Sequence, residues 1–161
     1  GGATVAADKR SVGTQIDDQK IEFDAYAKLA KHKGISDNAN LQITSVNGSV
    51  LIVGQSPNTF LTDEAIKIVR AVSGIAQIHN QIRIGNTTSI ATKSNDVWLT
   101  SKVKTALFGS DHLEATNIKV VTENGEVFLM GLISKKEADV AVDIARNVSG
   151  VNRVIKVFEY I

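Results

Sequence analysis

The stretch SNDVWLTSKVKTALFGSD (residues 94 to 111) holds the most distinctive side chains of the sequence: the single tryptophan, Trp98, then Ser101, Lys102, Lys104, Thr105 and Phe108. At about 100° per residue, Leu99, Val103, Ala106 and Leu107 form one helical stripe, and Trp98 falls roughly 120° away from it. Ser101 and Thr105 share that outer side, Phe108 lies farther round, and Lys102 and Lys104 stand at the borders. Two rings among small polar residues, with ammonium groups alongside, suit a lipid headgroup layer: rings sit at the interface and lysines reach phosphates. The wheel leaves a second reading open. Tryptophan is highly buried on average, and one near a helix start could fill a gap between packed units. A shift of one residue in helix phase would exchange the two readings. Phe108, at the helix end, could also fold back over the core.

Other reactive types do not assemble. His32 lies in a lysine-rich loop, His79 in a terminal strand and His112 in a loop, without metal-site spacing, and all three read as solvated. The serines occupy turns and caps, with no nucleophile elbow. The glycines mark turns and strand ends, with no phosphate-loop pattern. Asp96 reads as a helix-start carboxylate favoured by the dipole rather than a catalytic acid. Asp111 and Glu114 read as loop carboxylates. The chain is therefore expected to be non-enzymatic and to need no cofactor. Lys+Arg 18 against Asp+Glu 17 leaves a net charge of +1, so no global field recruits nucleic acid, and the aromatic-basic pattern of RNA binders is missing. With no cysteine there is no disulfide and no thiolate chemistry. No apolar run approaches the ~20 residues that span a bilayer.

The elements that must position these residues occur twice. LQITSVNGSVLIVG (41 to 54) overlays IKVVTENGEVFLMG (118 to 131), sharing Asn47/Asn124, Gly48/Gly125, Val50/Val127 and Gly54/Gly131. IVRAVSGIAQIHNQIRI overlays IARNVSGVNRVIKVFEYI, and AYAKLAK overlays VKTALFG. The offset falls from 78 to 77 to 76 along the chain, each change lying between elements, as duplicated units drift. In each unit a helix (stripe Ile21, Ala25, Leu29, stopping at Gly34; or capped by Ser94 or Asn95 and stopping at Gly109) precedes an Asn-Gly hairpin. A second helix follows, begun by Ser56-Pro57 or by the capping box Ser134-x-x-Glu137, and then a last strand. The expected fold is α+β: two tandem αββαβ units, each a three-stranded mixed sheet packed on two helices. The boundaries read as a flexible tail over 1–17, a first domain over 18–85, a polar linker over 86–93 and a second domain over 94–161. Superposing the two first helices sets Lys20 where Trp98 stands, and Lys28 to Lys33 make the end of the first helix strongly polar, so only the second unit is expected to carry an outward aromatic pair.

The αββαβ order, the glycine closing the second strand (LIVG, FLMG) and the Val-Ser-Gly step before the last strand resemble the BON domain, found in envelope and osmotic-stress proteins of Gram-negative bacteria. From Arg10 onward, RSVGTQIDD, LIVGQSPN, SNDVWLTSKV and TENGEVFLMGL resemble the tandem-BON outer-membrane lipoproteins of that family. The resemblance implies a monomer on the periplasmic face of the outer membrane, held by an acylated N-terminal cysteine that this sequence lacks. It also implies binding of anionic, phosphatidylglycerol-like phospholipid through the first helix of the second BON domain, enrichment at the division site and a role in envelope integrity. It favours an exposed Trp98, with Ser101, Lys102, Lys104, Thr105 and Phe108 around it. The rival expectation is an adaptor that uses the same helix to bind envelope assembly proteins or regulators of cell-wall amidases.

Overall fold

Two Asn-Gly turns organise the chain. The computed structural model describes residues 10–161, which divide into two compact lobes, Arg10–Thr88 and Ser89–Ile161. In the first lobe, helix α1 (Val12–Ala30) and the short helix α2 (Lys33–Asn38) precede strands β1 (Asn40–Val46) and β2 (Ser49–Ser56), helix α3 (Thr59–Arg70) and strand β3 (Gln77–Ile84). In the second, helix α4 (Ile90–Phe108) and a 3-10 turn (Ala115–Asn117) precede β4 (Lys119–Glu123), β5 (Glu126–Ile133), α5 (Lys135–Arg146) and β6 (Arg153–Tyr160). Each sheet has its hairpin antiparallel and its last strand parallel to the middle one, in the orders β1-β2-β3 and β4-β5-β6. The two mixed sheets are those expected from the sequence.

Asn47 and Gly48 have φ of 54° and 77°, and Asn124 and Gly125 have 51° and 78°, the left-handed pair that a type I′ turn demands. Each turn is then tied down by a buried carboxylate from the first helix of its lobe. Asp18 accepts the N–H groups of Asn47 (2.8 Å) and Gly48 (2.9 Å), and Asp96 accepts those of Asn124 (2.8 Å) and Gly125 (2.9 Å). The turn carbonyls are used as well: Gly48 O accepts from Ala76 N at 2.8 Å, and Gly125 O from Asn152 N at 2.9 Å. Asp96 is therefore a mid-helix structural acceptor, not the helix-start carboxylate the sequence suggested. Asp18 also accepts from the Ser45 hydroxyl (2.7 Å) and from Arg10 (2.8 Å). Burial alone would push the Asp18 carboxyl up, but the donors from Gly48, Ser45, Asn47 and Arg10 outweigh it and hold the pKa below the ordinary carboxylate value.

The helix starts differ from expectation. Residues 10–17, assigned to the tail, belong to the fold: Ser11 caps α1 by accepting from Thr14 N at 3.1 Å. Residues 1–9 lie outside the described residues. The linker assigned to 86–93 is helical from Ile90, because Ser89 caps α4 by accepting from Thr92 N at 3.1 Å, and Ser94 and Asn95 are interior and exposed. Gly34 does not stop α1. The helix ends at Ala30, and His32 accepts from Ile35 N through Nδ1 at 3.2 Å to begin α2, so this histidine is a cap rather than a solvated group. Asn58, not Ser56, caps α3, accepting from Leu61 N at 2.8 Å with Pro57 one step outside. Ser134 caps α5 as expected, accepting from Glu137 N at 3.2 Å.

The cores follow the helix stripes. Ile21, Ala25 and Leu29 of α1 meet Val50, Ile52, Ala65 and Val69, while Val103 and Leu107 of α4 meet Val127, Leu129, Ala141 and Ala145. The alternate residues of the middle strands, Leu51 and Val53, and Phe128 and Met130, are fully buried too. Burial on both faces explains why VLIV and VFLM read as unbroken apolar runs. Gly54 (φ 128°) and Gly131 (φ 139°) close these runs where the backbone of the chain entering the edge strand crosses over: a Cβ would overlap the carbonyl oxygen of Asn40 or Asn117.

Two outcomes are expected. Gly54→Ala, strained in φ and blocked by a backbone atom, should cost about 3 kcal/mol or more in urea unfolding, whereas a loss under ~1 kcal/mol would contradict the close approach. Asp18→Asn should cost on the order of 2 kcal/mol at neutral pH. A lowered folded pKa contributes stability that is present above the unfolded value near ~3.9 and is lost as pH falls through the lower folded value. The gap between wild type and Asp18→Asn should therefore narrow below about pH 4, and a gap that widens there would refute the assignment.

Candidate functional site

Helix α4 has 19 residues, about 28 Å of axis. Its phase is fixed by Asp96, which turns under the Asn124-Gly125 hairpin, and by Leu99, Val103 and Leu107, all buried. Trp98 follows Asp96 by two residues, roughly 200° around the helix, and so points outward. It is 62% exposed, and Phe108, one face farther along, is 58% exposed rather than folded over the core. Ser101 and Thr105 complete that face, both exposed. Their hydroxyls donate back to the helix, Ser101 to Val97 O (3.3 Å) and Thr105 to Ser101 O (2.9 Å), which satisfies the groups locally and leaves the face less polar than its sequence.

Two residues of this surface were missed by the sequence reading. Ile90, 85% exposed, was assigned to the linker, and Val97, also exposed, was passed over beside the tryptophan. Once the helix is known to start at Ile90, spacings of 7, 1 and 10 set Ile90, Val97, Trp98 and Phe108 along one side. The described residues contain no helix long and apolar enough to cross a membrane.

The two bordering lysines are not equivalent. Lys102 donates from Nζ to the Ser149 carbonyl at 2.6 Å, anchoring it to the turn after α5 and leaving its other donors for a second partner. Lys104 stands on the opposite border, where partial desolvation and then the charge of Lys119 lower its pKa. The remaining histidines do not join the site. His79 Nε2 lies 3.1 Å from the Ser49 hydroxyl in the first sheet, and His112 is exposed in the loop after α4.

The first lobe corrects one expectation. Lys20 does occupy the position of Trp98, yet α1 is not without outward rings: Phe23 is 73% exposed, and Val12, Ile16 and Tyr26 are exposed as well. The outward faces of the two helices differ in apolarity and in charge. Asp17, Lys20, Asp24, Tyr26 and Lys28 of α1 stand where α4 has Asn95, Trp98, Lys102, Lys104 and Ala106.

The profile of the BON domain family matches residues 17–86 and 95–161. The chain is 41% identical over 159 residues to a Haemophilus influenzae protein named outer membrane lipoprotein DolP, covering 99% of this chain and 82% of that one. It is 39% identical over 161 residues to the 21 kDa hemolysin of Actinobacillus pleuropneumoniae (100% and 83% covered), and 26% identical over 156 residues to osmotically-inducible protein Y of Escherichia coli K12 (95% and 77% covered). Among solved structures, the C-terminal domain of CdsD, a type III secretion structural protein of Chlamydia trachomatis, aligns over 86% of this chain and 96% of its own at 17% identity, a loose likeness with a TM-score of 0.31. With the family profile matched in both repeats and a 41% identical relative aligned over 99% of this chain, this chain belongs to the BON domain family and carries two such domains in tandem.

Proposed function

We propose that this chain is a non-catalytic envelope protein that docks reversibly on anionic phospholipid through the outer face of α4. The observation that carries the reading is the exposure of Trp98 and Phe108 on the outward face that Ile90 and Val97 extend. Aromatic and aliphatic groups of this kind enter the headgroup boundary, while Lys104 with Lys119 on one border and the spare donors of Lys102 on the other meet phosphates. The face carries no carboxylate: Ser94, Ser101 and Thr105 stand between its apolar residues. Lysines on both borders, with no carboxylate between them, favour an anionic headgroup of the phosphatidylglycerol type.

Magnitudes set the mode of attachment. Inserting these side chains removes about 200 to 300 Å² of apolar surface from water, worth roughly 5 to 8 kcal/mol at ~25 cal/mol per Å² before ordering costs. Contact of that strength is reversible, and stable residence on a membrane takes a second signal. A lipoprotein anchor of the kind named in the Haemophilus relative would supply it, placing the chain on the periplasmic face of the outer membrane. There α4 would sense lipid composition, in support of envelope integrity and enrichment at the division site.

The test is co-sedimentation with liposomes that contain or lack phosphatidylglycerol. Wild type should pellet with the anionic vesicles only, and the pelleted fraction should fall as salt screens the lysines. Trp98→Glu, at an exposed position, should keep its fold by circular dichroism and lose about tenfold or more in binding. Equal binding to neutral and anionic vesicles, or a Trp98→Glu variant that binds like wild type, would overturn the reading.

A further inference from the structure

Each Asn-Gly turn sets a side-chain amide next to a backbone nitrogen that can attack it. Once the Gly nitrogen loses its proton, it bonds to Cγ of the asparagine, the side-chain nitrogen leaves as ammonia, and a succinimide ring closes. Water then opens that ring at one carbonyl to give aspartate, or at the other to give isoaspartate. No other residue resists this chemistry less than glycine, which puts no Cβ beside the attacking nitrogen. Asn47-Gly48 and Asn124-Gly125 are the two such steps in the sequence, and both asparagines are exposed to water.

The fold holds the reacting atoms apart. Ring closure needs the Asn-Gly peptide plane to rotate until the Gly nitrogen faces Cγ. Asp18 grips both planes that flank Asn47, through the N–H groups of Asn47 (2.8 Å) and Gly48 (2.9 Å), and Asp96 grips those that flank Asn124 in the same way. The carboxylate also opposes the chemistry directly. Removing the Gly proton would leave a negative nitrogen 2.9 Å from a carboxylate oxygen, where burial strengthens the repulsion.

The two carboxylates are not held equally. Asp18 is braced by the Ser45 hydroxyl (2.7 Å) and by Arg10 (2.8 Å). The offsets between the repeats set Thr122 and Thr88 at those positions, and the Thr122 hydroxyl accepts from Thr100 at 2.7 Å. Among the described residues the Asp96 carboxylate accepts from the two turn N–H groups alone. A carboxylate without a brace lets its turn open more often, and local opening sets the rate of such reactions.

We propose that Asn124-Gly125 is a site of spontaneous deamidation in the folded protein, restrained by Asp96, and that Asn47-Gly48, under the braced Asp18, is the better protected of the two. The lobes then age unequally. Isoaspartate adds a main-chain carbon at residue 124, and a two-residue type I′ turn cannot take in that atom and keep both N–H groups on Asp96. The second hairpin is the first to fail.

The test incubates the whole chain in mildly alkaline buffer beside free peptides spanning residues 42–52 and 119–129. Peptide mapping by mass spectrometry follows aspartate and isoaspartate at positions 47 and 124. Asn124 in the folded wild type should convert about tenfold or more slowly than in its peptide, and Asn47 more slowly still. Asp96→Asn, which keeps the shape but removes the charge and one acceptor, should speed conversion at 124 by about tenfold and leave 47 unchanged, and Asp18→Asn should do the reverse. Val103→Ala, a core change in the same lobe, separates guarding from general loosening: at an unfolded fraction matched by urea, it should convert Asn124 more slowly than Asp96→Asn does. Conversion of wild-type Asn124 at the free-peptide rate, conversion at 47 as fast as at 124, or equal rates in the matched Val103→Ala and Asp96→Asn chains would each overturn the proposal. If Asp96→Asn does not fold, the wild-type rates against the peptides and against each other still decide it.

Discussion

A helix carboxylate buried beneath a type I′ turn is the interaction on which both lobes depend. Asn47-Gly48 and Asn124-Gly125 each point two backbone N–H groups inward, and without an acceptor each would carry the desolvation penalty of an orphaned donor. Asp18 and Asp96 remove that penalty, while the turn carbonyls bind the segment that leads into the last strand. One contact therefore joins first helix, hairpin and returning strand. It also fixes the rotation of the helix: with the carboxylate turned inward, the residues two and five positions later must face solvent. Those are Lys20 and Phe23 in the first lobe, Trp98 and Ser101 in the second.

Because the same contact holds both helices, their outward faces were free to diverge after duplication without disturbing the core. The inner positions stay alike, Ile21, Ala25 and Leu29 against Leu99, Val103 and Leu107. The outer ones change in both apolarity and charge. Surface substitutions of this kind carry small stability costs, so the outer positions could change without unfolding either lobe.

Legibility in the sequence followed the same division. The hairpins and the closing glycines could be read because left-handed φ and close backbone approach restrict residue type severely. The helix starts could not. Ser11-x-x-Thr14 and Ser89-x-x-Thr92 begin turns that have few apolar inner positions, so no periodicity announces them. That error hid Ile90 in a linker and Val12 and Ile16 in a tail. Asp96 was misread for a related reason: a carboxylate near an assumed helix start has an easy local explanation, whereas its partners lie 28 and 29 residues away. Comparing only the position of Trp98 with Lys20 then made α1 look polar, although Phe23 stood three residues on.

The edge of each sheet shows what the divergence involved. In the first lobe Tyr26 accepts the Ile43 N–H at 2.8 Å and Glu22 the Ser45 N–H at 2.9 Å, so two side chains one helical turn apart cover the open edge of β1. The corresponding residues of the second lobe are Lys104 and Thr100. Thr100 bonds across to the Thr122 hydroxyl at 2.7 Å, but an ammonium cannot accept, and Lys104 instead stands against the charge of Lys119. Within the lobe alone that exchange removes an edge acceptor and adds a repulsion. Burial of the Lys104 stem comes first in lowering its pKa and the charge of Lys119 second, so the first lobe closes its edge with side-chain acceptors where the second leaves a cation beside it.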